Sequence, residues 1–146
     1  MSEYGAGGKV AWVYRHFPLA HLHPYAETHA IASECVSTLS SNPQAFWQFI
    51  DILHARASGS QSIMPSYDTI IPSFSIEQEA FDACMSEGTA AERVHLDIQN
   101  AVAIGITATP YNVILIEGKN PSTIAGALPY ESMKKIIDET LKEVSQ

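Results

Sequence analysis

Cys35 and Cys84 are the only thiols in the sequence, so any sulfur chemistry must run through them. They form no Cys-x-x-Cys pair, which excludes a zinc ribbon and a self-contained dithiol motif. Neither stands clearly at a helix N-terminus, where a thiol becomes a reactive thiolate, so catalysis by this pair is not expected. Bonded to each other they would close a loop of about 50 residues and contribute ~4 kcal/mol in the chain-entropy picture. Left apart they would pack as small buried hydrophobes. Both states remain open, because the bond depends on a Cα separation that sequence alone does not set. His16, His21, His23 and His29 lie close together along the chain, yet no cysteine or carboxylate completes a ligand spacing. No metal and no cofactor are expected. Glu77, Glu79, Glu87, Glu92, Asp138 and Glu139 read as solvated helix faces rather than an acid/base pair. Gly5 to Gly8 lacks the spacing and the following helix of a phosphate-binding loop.

The elements that must hold these residues fit within one domain's length of chain, 146 residues. At 46% hydrophobic and 16% charged, the composition suits a globular fold and is too interrupted for a membrane span. A formal charge of -8 repels phosphate backbones and anionic membranes, so nucleic acid is not an expected partner. The opening residues carry no secretory signal pattern.

Lys9 to Phe17 is almost continuously apolar, which predicts a buried, parallel strand with Trp12 and Tyr14 in the core. After Pro18 and Pro24, Ile31, Cys35 and Leu39 recur at helical spacing. Asn42-Pro43 offers an N-cap and first-turn proline to a second helix, on which Phe46, Phe49, Ile50 and Leu53 mark one face, with Trp47 also assigned to the core. From Ala57 to Phe74 no period persists, and a long, freely variable surface loop is predicted. Ser75 with Gln78, and Thr89 with Glu92, fit capping boxes at the starts of two further helices. The longer of the two stops near Gly105. Asn112 to Glu117, the turn residues Gly118-Lys119-Asn120-Pro121, and Thr123 to Ala127 predict a hairpin. A terminal helix starts at Pro129 and carries Met133, Ile136, Ile137 and Leu141 on its apolar face.

Several segments, in order, resemble the bacterial DsbA-like thioredoxin family. They are Val10-Ala11-Trp12-Val13-Tyr14-Arg15-His16-Phe17-Pro18-Leu19, Leu22-His23-Pro24, Ala32-Ser33-Glu34-Cys35, Phe46-Trp47, Phe81-Asp82-Ala83-Cys84, Gly105-Ile106-Thr107-Ala108-Thr109-Pro110 and Gly126-Ala127-Leu128-Pro129-Tyr130-Glu131. Their collinearity from Lys9 to Val144 is more specific than any one of them. The resemblance implies an α/β thioredoxin-like fold in a single partial domain, residues 1–146. A helical insertion would span about 24–104, and a β-hairpin and helix about 109–144.

The resemblance also implies what the chain would do. Thr109 and Pro110 would form a cis-proline loop that docks extended segments of cysteine-containing proteins. In that family a Cys-x-x-Cys motif at a helix start carries the attacking thiol, and this sequence has none. Met1 to Gly5 looks like the end of the helix after that motif, so the chain would lack the first core strand and most of the first helix. The expected result is an inactive fragment or degenerate relative of a thiol:disulfide oxidoreductase that acts on exported proteins outside the cytoplasm. The alternative is a non-catalytic thioredoxin-fold module that binds peptides or dimerises. Either way, open sheet edges would favour self-association.

Overall fold

The computed structural model describes residues 2–5, 7–57 and 66–144, and these pack as two compact units. One unit is Arg15–Gly105; the other joins the chain's opening, up to Tyr14, to its end from Ile106.

The Arg15–Gly105 unit is helical. Its elements are α2 (Ala26–Leu39), α3 (Ala45–Ala57), a 3-10 turn at Ile71–Phe74, α4 (Gln78–Glu87) and α5 (Thr89–Ala103). α2 lies at the centre and packs against α3, α4 and α5. Its buried residues, Ala30, Ala32, Ser33, Cys35 and Val36, are small, which lets three neighbours approach one helix. Ser33 is fully buried, and its hydroxyl donates to the Ala30 carbonyl at 2.7 Å, so no polar group is stranded there. Phe49 and Phe81 fill the space between helices. Phe49 meets Phe74 edge-on, and Phe81 meets Tyr67 the same way.

Two expectations fail in this unit. The stretch from Ala57 to Phe74 is not a freely variable surface loop: Tyr67, Ile70, Ile71 and Phe74 are buried in the core, followed by Ile76. The other part of that predicted loop, 58–65, lies outside the described residues. Apolar residues mixed with Ser, Pro and Asp have no period to detect, yet around the 3-10 turn they join the core. The capping boxes are also absent. α4 follows Glu77 and α5 follows Gly88, neither with a side-chain cap, because Ser75 closes the 3-10 turn and Thr89 already lies inside α5. Asn42 does cap as its sequence suggests, with its side-chain oxygen accepting from the Gln44 amide at 2.9 Å.

The second unit holds α1 (Ser2–Gly5), β1 (Tyr111–Ile114), β2 (Ser122–Ala125) and α6 (Tyr130–Val144). β1 and β2 form a two-stranded antiparallel hairpin with Tyr111 opposite Ala125 and Ile114 opposite Ser122. Gly118, at φ 74, supplies the left-handed turn between them. α1 is fastened to α6 by Tyr4, whose hydroxyl donates to Asp138 at 2.7 Å, and by Glu3, which pairs with Lys134 and Tyr130.

Lys9 to Phe17 is not the buried parallel strand that its composition suggests. No described part of it pairs as a strand, Val13 is 76% exposed, and Trp12 and Tyr14 are 45% and 39% exposed rather than in the core. Apolarity records a preference for burial, but a strand also needs a hydrogen-bonded neighbour, and the described sheet contains only β1 and β2. Among the described residues, every fully buried one lies in the helical unit and none belongs to this one.

Candidate functional site

After α5, the Ile104 amide donates to Ala101 at 3.3 Å and the Gly105 amide to Val102 at 3.0 Å. Gly105 then turns the chain at φ 80. Thr107, Ala108, Thr109 and Pro110 follow as an exposed loop, and the Thr109–Pro110 peptide bond is cis. The loop's end is fixed rather than free. The Pro110 carbonyl accepts from the Gly126 amide at 2.9 Å, one step past the Tyr111–Ala125 pair, so the hairpin holds the loop in register. Gly126, at φ 84, adopts a conformation few side chains tolerate.

The two cysteines sit in the helical unit, joined by a disulfide between α2 and α4 with a Cα separation of 5.8 Å. Cys35 is fully buried, whereas Cys84 is half-buried at the core's edge. Among the described residues no free cysteine remains.

The histidines do not converge on one point, and no group of metal-ligating side chains gathers among the described residues. His21 and His23 are exposed in the turn before α2. His29, on α2, shares a hydrogen bond with the Tyr67 hydroxyl at 2.9 Å; burial lowers its pKa and pushes the Tyr67 hydroxyl well up.

His16 belongs to an ion-pair network with no spacing signal in the sequence. Its ring is almost wholly buried, meets Phe46 edge-on and places Nε2 3.0 Å from Glu34 of α2. Facing a carboxylate, that nitrogen must carry the proton. Arg93 of α5 donates to the other Glu34 oxygen at 3.2 Å. The bond to His16, and then that to Arg93, hold the Glu34 carboxyl below its usual range against the opposing pull of burial. One turn on, Asp97 accepts the His16 backbone amide at 2.8 Å and pairs with Arg15. Arg15-His16 is thereby clamped to two helices. Its acceptors lie 18 and 81 residues away, beyond the reach of local pattern.

In the second unit, Tyr4, Val10, Trp12, Tyr130, Met133 and Ile137 line a shallow apolar groove of about 200 Å³. Lys134 also lines it, paired with Glu3 and Asp138, so the groove offers mostly van der Waals surface.

A thioredoxin family model matches residues 1–139 of the chain. The chain belongs to the DsbA-like thioredoxin family. The crystal structure of Pseudomonas aeruginosa DsbA2 superposes with a TM-score of 0.75 at 26% sequence identity, over 92% of this chain and 73% of that one. No match was found among curated proteins. The fold is therefore thioredoxin-like, mostly helical, with a small two-stranded sheet. In this DsbA-like chain the Thr109–Pro110 loop and the Cys35–Cys84 bond belong to different units. No helix among the described residues is long and apolar enough to cross a membrane.

Proposed function

We propose that the chain supplies the substrate-docking loop and helical scaffold of a DsbA-like thiol:disulfide oxidoreductase whose attacking dithiol is not among these 146 residues. Thiol–disulfide exchange begins with a free thiolate. Both thiols of this sequence are consumed in one bond, while the loop from Thr107 to Pro110 stands exposed. That contrast carries the reading. Exposed backbone just ahead of a strand can pair with an extended polypeptide, so the loop's task is to hold segments of cysteine-containing proteins. The family's character assigns the work to exported proteins, outside the cytoplasm.

Purified chain should give no turnover in insulin reduction or in oxidation of a dithiol peptide, and turnover in either assay would overturn the reading. Docking has its own test. An extended peptide with blocked cysteines should shift the amide resonances of Thr107 to Tyr111, and binding that leaves these unmoved removes their assigned role.

A second reading, self-association, is favoured by the exposure of Val13 (76%), Leu115 (75%) and Trp12 (45%) in the unit where no described residue is fully buried. Sedimentation velocity should show mass rising with concentration, less so in Val13→Lys. A monodisperse monomer over the same range rejects it.

A further inference from the structure

We infer that the Cys35–Cys84 bond is made and broken through one sulfur, that of Cys84, which is the site where an external thiol or disulfide exchanges with this chain. The two ends of the bond sit in unlike surroundings. Cys35 lies on the core side of α2, fully buried and flanked by the fully buried Ala32, Ser33 and Val36. Cys84 is half-buried: on α4 Phe81 and Met85 join it against the core, while its other neighbours there, Ala80, Ala83 and Glu87, are exposed. Two of these are alanines, whose small side chains leave room for an approaching molecule. An attacking thiolate must reach a sulfur directly, so access selects Cys84.

The exchange balances in two steps. A glutathione thiolate attacks Cys84 Sγ and forms a mixed disulfide there; the Sγ–Sγ bond breaks, and its electron pair leaves on Cys35 Sγ, which takes up a proton. A second glutathione thiolate attacks the glutathione sulfur of the adduct and releases the Cys84 thiolate with one molecule of oxidised glutathione. Two electrons have then passed to the chain. Formation is the reverse: the Cys84 thiol displaces one half of an external disulfide, and Cys35 displaces the other. The disulfide donor must lie outside these 146 residues, which hold no third cysteine to supply one. Cys84 lies in the last turn of α4, a helix with no basic residue, so the helix end does not activate its thiol. The bond is therefore a staple that an oxidant installs, and not a second catalytic dithiol.

The test uses the wild-type chain. Folded protein is treated briefly with reduced glutathione, quenched with acid and N-ethylmaleimide, and mapped by peptide mass spectrometry, with a urea-unfolded sample alongside. The folded sample should carry glutathione on Cys84 in excess of Cys35 by about tenfold or more, and the unfolded sample on both alike. Equal labelling in the folded sample, an excess on Cys35, or an adduct that forms only as fast as the chain unfolds would each overturn the inference. Single variants give a second reading: the remaining thiol should react with Ellman's reagent faster in Cys35→Ala than in Cys84→Ala, and both should become equal in urea.

Discussion

Glu34 accepts from two donors, the buried His16 ring and the Arg93 guanidinium, and the consequence of removing its charge depends on which donor is stranded. Arg93 is 60% exposed and returns to water easily; the His16 side chain is 4% exposed and has no such recourse. Glu34→Gln should therefore cost roughly 1–3 kcal/mol, read from the urea midpoint, and an unchanged midpoint would mean that the pair does not stabilise the fold. The pH dependence has a definite sign. The folded carboxyl titrates below its ordinary 4.5, so its stabilisation is complete above that value and disappears as pH falls through the lower folded one. The difference between wild type and Glu34→Gln should shrink in that acid window. His29 acts at milder pH. Burial holds its pKa below 6.5, so the unfolded chain takes up its proton first, and stability declines as pH drops past that value. His29→Gln should lose less thermal stability than wild type between about pH 7 and about pH 5; equal losses would mean that His29 is not the titrating group.

The element misread from its composition makes the sharper test of packing. Helices α2, α3, α5 and α6 were legible because their apolar residues recur at helical spacing, and the β1–β2 hairpin because Gly118 marks its turn. Tyr67, Ile70, Ile71, Phe74 and Ile76 have no such rhythm, and their burial comes from contacts with α3 and α4 that no local window contains. The Arg15-His16 clamp was hidden for the same reason. Its partners are ordinary surface-type residues until the helices bring them together. Ile71 is fully buried, so Ile71→Ala should destabilise the helical unit by about 2–5 kcal/mol, as expected of a core position; a cost near zero would return the segment to a surface loop. The α2–α4 staple adds to this. Cys35→Ala with Cys84→Ala should lower stability by roughly 2–4 kcal/mol, measured by urea unfolding against the oxidised wild type.

At the level of the whole molecule, apolar residues and core do not coincide. Among the described residues, the helical unit encloses all the fully buried side chains and the disulfide, while the unit of β1, β2 and α6 leaves Val13, Leu115, Tyr130 and Val144 more than half exposed. A hairpin of two short strands is marginal in water unless something covers a face, and α6 has no buried residue of its own. Surface ion pairs such as Lys134 with Glu3 compensate little, because exposed charges gain only about 0–1 kcal/mol from pairing. The two units should therefore differ in how readily they open. In native-state hydrogen exchange the amides of α2 and of α4 around Phe81 should be the slowest, and those of β1, β2 and α6 should exchange through cheaper local openings. Raising the protein concentration should slow exchange in the second unit alone if exposed edges pair between copies. Uniform protection across both units, independent of concentration, would show that the hairpin unit is stabilised as firmly as the helical one and that its exposed apolar residues cost the fold nothing.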